Sequence, residues 1–268
     1  RAPLSDADRA KGFWKAKHSD RAWSGYWVPL LICPWVTAEY IISKFNHPDT
    51  TPEFFYTKIL GMPFADATAK LLRESFFQNL TGQPWAPSTS ERIIGGLDTG
   101  LRLDYVLGNK DGLFFHGDTK DYGELDNLMR RWEKLIFIVD AGGDLIGSRA
   151  FQERWPGRVF LCYLTGDRKQ NELATWGEGD KFGGVTVDRY RIIQLCVDEF
   201  RSKRIRVHGT ENDWFEYWLD WNSLSKMKIR DPDTNEIKGY KWIRNGRDHR
   251  ALATCFWRVG MMRFAGMG

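Results

Sequence analysis

The order of apolar segments predicts a mixed α/β fold, with a central sheet that begins antiparallel and continues through strands alternating with helices. Three observations support it. The runs RIIGGLD, LIFIVD and GRVFLCYLTG are short and almost wholly apolar, as strands covered on both faces are. The segment LDYVLGNKDGLFFHGDT contains an Asp-Gly pair at residues 111–112 that marks a hairpin turn. Finally, 268 residues that are 42% hydrophobic and 28% charged are enough to bury a sizeable core.

Residues 1–90 lack one clean period. Val28–Cys33 reads as extended, and Pro34 precedes an expected helix from Val36 to Phe45. TPEFFYTKILGMPF reads as a short helix stopped by Gly61 and Pro63, and ADATAKLLRESFF as another helix. TGQPWAPSTSE is a linker by its Pro, Gly and hydroxyl content. A boundary is expected there, dividing residues 1–90 from a domain at 91–268.

The first strand of that domain ends at Asp98, and two strands joined by a turn over Asn109–Gly112 follow. YGELDNLMRRWEK places Leu125, Leu128, Met129 and Trp132 on one helical face. LIFIVD ends at Asp140, and AGGDLIGSRAFQERW turns into a helix before the strand GRVFLCYLTG. A helix is expected from Asp188 to Phe200, and KRIRVHG as a short strand. Trp214, Trp218 and Trp221 follow helical spacing and read as a packed face. Residues 226–250 read as a hairpin with DPDTNE at its turn. RDHRALATCFWRVGMM is a final helix with Ala251, Leu252, Cys255, Phe256 and Val259 inward.

Composition excludes several classes. The four cysteines have no CxxC spacing and read as reduced residues in or near the core. No apolar run reaches transmembrane length, and no secretory leader pattern opens the chain. The first residue is Arg, so the chain is expected to start inside a longer polypeptide. Neither GLDTG nor DAGGD has the GxxxxGK[ST] spacing of a phosphate loop, so no nucleotide site is expected. Net charge is only +4, but residues 226–250 carry eight Lys/Arg against four acids. That excess would suit a polyanion and is equally what a solvated hairpin carries.

Three acids occupy comparable places: Asp98 after the first strand, Asp140 after the fourth and Asp248 at the start of the last helix. If the first and fourth strands are neighbours, the first two converge and the third can complete a cluster. Crowded carboxylates resist simultaneous ionisation, and a divalent cation reverses that cost. Oxygen ligands without a Cys/His pattern point to Mg2+ or Mn2+, with two ions roughly 3.5–4 Å apart suited to phosphodiester hydrolysis. Asp104 is a fourth ligand, a supporting group or a cap. Asp144 is an auxiliary acid or a helix N-cap. The same residues also read as unconnected caps and turns.

In sequence order, GLDTG, FIVDAGG and GRDHRALATCFW resemble the C-terminal nuclease region of the large terminase subunits with which tailed bacteriophages package DNA. The resemblance covers about residues 91–262. SGYWVPLLICPWVTAEYIISKF and FFYTKILGMPF resemble the segment joining the packaging ATPase to its nuclease. It implies an RNase H-like sheet flanked by helices, with an N-terminal extension and a C-terminal β-hairpin insertion. The implied activity is a metal-dependent endonuclease that cuts concatemeric viral double-stranded DNA. Asp98, Asp140 and Asp248 become the metal ligands, with Asp104 an accessory position. Here Asp248 is followed by His249 and Arg250 with no second carboxylate, so His249 has either a site role or a local structural one. Lys241, Arg244 and Arg247 are expected phosphate contacts. The implied partners are an upstream ATPase domain, the small terminase subunit and the portal protein. The expected location is the host-cell cytoplasm and, transiently, the procapsid portal, with no membrane. Two other readings share parts of this pattern: a Holliday-junction-type resolvase and a non-catalytic DNA-binding or portal-docking module.

Overall fold

In the computed structural model the chain divides into two compact units, Arg1–Asp66 and Ala67–Gly268. The structure describes residues 30, 33, 35–47, 50, 55–62, 69–166, 172–177, 183–231, 234 and 236–265. In the first unit, helix α1 (Ala38–Phe45) is capped by Thr37, whose side chain accepts from the Tyr40 amide at 3.2 Å. The expected helix in TPEFFYTKILGMPF is a single π-helical turn, Phe55–Ile59. Phe55 meets Phe45 edge to face at 5.0 Å. Most of the extended stretch expected at Val28–Cys33 lies outside the described residues.

The second unit is built on a seven-stranded sheet in the order β3-β2-β1-β4-β5-β7-β6. Its strands are β1 (Ile93–Asp98), β2 (Leu103–Asn109), β3 (Gly112–Thr119), β4 (Leu135–Asp140), β5 (Val159–Thr165), β6 (Ala174–Trp176) and β7 (Gly184–Asp188). The first three form an antiparallel meander. β4, β5 and β7 then add parallel to β1, and β6 closes the edge antiparallel. This is the RNase H-like arrangement, flanked by helices on both faces.

Alternation along the strands sends Ile93, Leu97, Phe137 and Val139 to one face. There they meet α3 (Tyr122–Arg131) and α4 (Leu145–Arg154) through Leu125, Met129 and Phe151. Ile94, Val106, Ile138 and Cys162 face the other side. That side is covered by α5 (Arg189–Arg201), α6 (Glu211–Asn222) and α7 (His249–Phe264). Trp214 and Trp221 are buried there, as the packed aromatic face required. Cys162, Cys196 and Cys255 are buried free thiols.

Several local expectations change. Within ADATAKLLRESFF only α2 (Arg73–Phe77) is helical among the described residues. Its Phe76 is buried against Phe200 and Tyr217, so the Gly/Pro-rich linker lies inside the second unit. KRIRVHG makes only isolated bridges, Val207 to Leu80 and Leu113, because it crosses the sheet end instead of joining a ladder. β6 and β7 were not anticipated; both are short and flanked by glycine or charge rather than by long apolar runs. The expected hairpin is present as β8 (Leu224–Arg230) and β9 (Ile237–Arg244). No helix among the described residues is long and apolar enough to cross a membrane.

Candidate active site: a row of aspartates under the start of α7

The same alternation that buries Ile94 and Ile138 against α7 carries Asp98 and Asp140 to that face at the strand ends. Asp104 pairs with Asp98 across β1 and β2, and Asp118 pairs with Asp104 across β2 and β3. Asp140 lies one residue beyond the Leu97–Val139 pair. Four aspartates therefore stand abreast on adjacent strands, an arrangement that repels unless each is compensated.

Compensation differs along the row. At one end Arg102 reaches Asp104 at 3.0 Å and Asp118 at 3.1 Å. Arg250 binds Asp118 at 3.2 Å, and Arg247 bonds to Asp104 and lies 3.6 Å from Asp220. Asp220 also accepts from the Arg250 backbone amide at 2.8 Å, tying α6 to the first turn of α7. Burial pushes the Asp104 carboxyl up, opposed chiefly by Arg102. Burial likewise raises Asp220 to about 6, opposed by its bonds to Arg250.

At the other end Asp98 and Asp140 have no arginine ion pair among the described residues. Asp98 shares a 2.7 Å hydrogen bond with His249 Nδ1. Burial pushes Asp98 up to about 7; the His249 bond opposes this, and the charges of Asp140 and Asp248 add to it. The Asp98 hydrogen bond in turn raises His249. Asp140 is also raised by burial, though it accepts from the Gly142 and Gly143 amides at 3.0 Å each. Asp248 occupies the N-cap position of α7 without a side-chain capping bond and is 1% exposed. Its Oδ2 lies 3.4 Å from Arg189, and its Oδ1, 3.7 Å from Arg244, is buried without a hydrogen-bond partner.

Two close backbone approaches assemble this end. A Cβ at Gly96 would collide with the Ala253 carbonyl and the Trp257 amide, so β1 and α7 touch backbone to backbone. A Cβ at Gly143 would collide with the Thr99 carbonyl. Thr99 Oγ1 donates to the Asp140 carbonyl at 3.1 Å and accepts from the Asp144 amide at 3.0 Å. The loops after β1 and β4 are thereby fastened together. Asp144 is the N-cap of α4, accepting from Gly147 at 3.0 Å.

The strand order thus matches the mixed sheet that the sequence suggested. The chain is similar to phage large terminase nucleases. The large terminase nuclease from thermophilic phage G20c aligns at 9% identity over 70% of this chain and 98% of that one, with a TM-score of 0.43. The large terminase from the thermophilic bacteriophage D6E aligns at 15% identity over 86% of this chain, which spans about half (52%) of that protein, with a TM-score of 0.44. The nuclease domain of the large terminase from bacteriophage SPP1, a structure with bound Mn, aligns at 13% identity over 67% and 95%, with a TM-score of 0.39. No protein-family profile and no curated protein matches the chain. TM-scores below 0.5 at such identities leave the function to this chain's own side chains.

As placed, no three His, Cys, Asp or Glu side chains among the described residues form a group able to hold a metal ion. Asp98 is instead held by His249, and Asp248 lies between Arg189 and Arg244. The donor set nonetheless suits a hard divalent cation. Asp98 and Asp140 are adjacent carboxylates raised by burial, and Asp248 offers a buried oxygen that makes no hydrogen bond. Lys241 and Arg244 lie on β9, Arg244 exposed, whereas Arg247 is engaged by Asp104 and Asp220. Sequence reasoning missed Arg102, Arg189 and Asp220. Arg189 directly follows β7, so finding that strand would have pointed to it.

Proposed function

We propose that this chain is a divalent-metal-dependent DNA endonuclease that cuts concatemeric viral double-stranded DNA during genome packaging. Its strongest support is the unequal pairing of the aspartate row: arginines bond Asp104 and Asp118, while Asp98 and Asp140 have no arginine ion pair among the described residues and lie beside an Asp248 oxygen that makes no hydrogen bond. Asp98, Asp140 and Asp248 would hold Mg2+ or Mn2+, as a pair of ions. When bound, such ions lower the pKa of water and offset charge developing on the phosphodiester.

The protein's part is positioning. The Gly142 and Gly143 amides orient Asp140, and His249 orients Asp98. The backbone contact of α7 with β1 delivers Asp248. Water attacks phosphorus and the 3′ oxygen leaves, without a covalent protein intermediate. Lys241, Arg244 and Arg247 would supply phosphate contacts with no base readout. Residues 1–90 would lead from an upstream packaging ATPase, with the small terminase subunit and portal as partners, in the host cytoplasm and transiently at the procapsid.

The decisive experiment combines calorimetric Mn2+ titration with cleavage of circular and linear duplex DNA by the wild type, Asp98→Asn and Asp140→Asn. Loss of metal binding and of cutting in both variants, with duplex binding retained, is expected. Unchanged cutting by both variants would reject these assignments, and preference for branched DNA would replace the packaging reading.

A further inference from the structure

At the end of β1 and β2 remote from the aspartates lies an open cleft of ≈ 550 Å3. Lys110, in the β2–β3 turn, forms one wall, while Lys203, Arg204 and Arg206, in the segment after α5, form the other. Trp257 and Arg258 of α7 lie in its lining. Two acids also line it, Asp111 and Glu199. Glu199 is already consumed, accepting from Arg258 at 2.6 and 2.7 Å. Lys110, Lys203, Arg204 and Arg206 are all exposed, and none has an ion pair or side-chain hydrogen bond among the described residues. A neighbouring cleft of ≈ 330 Å3 shares Asn109 and Lys110 and adds Arg92 and Lys134 together with one acid, Glu91, which accepts from Asn109 at 3.1 Å.

Uncompensated cations gathered along a furrow favour an anion. The distribution selects the kind. Small-ligand sites are enclosed and largely apolar, with a few converging polar groups, whereas this furrow is open and its charges are spread along two walls. A phosphate polymer meets charges spread in that way. The furrow is also separate from the carboxylates: Arg258 lies nine residues beyond His249 on α7, roughly 14 Å at 1.5 Å per residue.

We propose that this furrow is a second DNA contact surface, binding phosphates of the backbone away from the bond being cut. The proposal rests on the reading of the chain as a DNA-cutting enzyme and names an additional surface by which it holds DNA. The contacts are to phosphate and carry no sequence preference.

The test compares wild-type protein with the variant Lys110→Gln/Arg204→Gln/Arg206→Gln, whose altered side chains are exposed and leave the core intact. A control variant neutralises Lys120, Arg130 and Arg149, which are exposed on or beside α3 and α4. Duplex binding is measured in EDTA by fluorescence anisotropy at several salt concentrations. The furrow variant should bind about tenfold or more weakly near 0.1 M salt, with the slope of log K against log salt shallower by about 2–3, near 0.9 per lost contact. The control should lose much less, and both variants should melt like wild type. If the triple change unsettles the fold, the pair Lys203→Gln/Arg204→Gln should give a proportionally smaller loss. Equal losses in furrow and control variants, or an unchanged slope, would overturn the proposal. Full displacement of DNA by millimolar inorganic phosphate would also overturn it, in favour of a small-anion site. Manganese-dependent plasmid cleavage is measured separately: no cleavage by wild type with furrow-dependent binding would remove the nuclease reading and leave the furrow standing.

Discussion

Replacing Asp98 with Asn should make the metal-free protein more stable while abolishing cutting. Asp98 is 5% exposed, and its carboxyl is raised from 3.8 to about 7 by burial and by the charges of Asp140 and Asp248. Below 3.8 the folded and unfolded chains both carry the proton at this position. Between 3.8 and about 7 the folded state keeps a proton that the unfolded state has released, so stability falls as pH rises through that window and levels off above it. The interval corresponds to an upper bound of about 4 kcal/mol at 1.36 kcal/mol per pH unit. Raised His249, whose hydrogen bond to Asp98 favours its charged form, loses its own contribution in the same direction as pH rises. Asn can still accept from His249 but carries no charge. Allowing for relaxation around the buried charge, a gain of about 2 kcal/mol at pH 8 is expected, or roughly 4–8 °C in Tm for a unit of about 200 residues. The assay is calorimetric melting of both proteins in EDTA from pH 5 to 8. The gap should widen with pH, and saturating Mn2+ should raise the wild-type Tm but not that of Asp98→Asn. A variant less stable than wild type at pH 8, or parallel pH curves, would refute the argument.

Other outcomes follow from the same geometry. Asp140→Asn should lower the plasmid cleavage rate by roughly a thousandfold, the kinetic equivalent of about 4 kcal/mol of lost charge stabilisation; a full time course with Mn2+ checks it. Asp104→Asn should change stability by no more than about 1 kcal/mol, because burial disfavours the Asp104 charge and the Arg102 and Arg247 side chains that lose it are 31% and 37% exposed. Calorimetry should find Mn2+ binding retained, marking Asp104 as a support for arginines rather than a ligand. Gly143→Ala would drive a methyl group into the Thr99 carbonyl and should cost about 2–3 kcal/mol in urea unfolding, with loss of cutting. Lys241→Ala with Arg244→Ala should weaken duplex binding equally across DNA sequences, read by anisotropy as a shallower salt slope.

Much of the sheet was legible because β1, β4 and β5 are apolar on both faces, and because Asp-Gly marks the β2–β3 turn. Asp98, Asp140 and Asp248 were legible as candidates because each ends or begins a strongly patterned element. The compensating charges were not. Arg102 looks like loop punctuation in TGLRLD, yet the β2–β3 register sets Asp104 beside Asp118 and lets it bridge the two. Asp220 sits in an aromatic helix pattern and shows its role only once α6 packs beside α7. β7 was missed because its five residues emerge from a glycine-rich approach and run straight into a helix, so Arg189 was missed with it. His249 was visible, but its bond to Asp98 depends on how closely α7 approaches β1.

That approach has a mechanical consequence. Gly96 puts helix backbone directly on strand backbone, and Gly260 lets Ile94 and Ile138 press into the helix about one turn from its end. At Gly96 no side chain separates the two, so α7 is seated there as a stiff lever on the sheet. A methyl group added at position 96 or 260 would force α7 away from the sheet and shift Asp248 relative to Asp98.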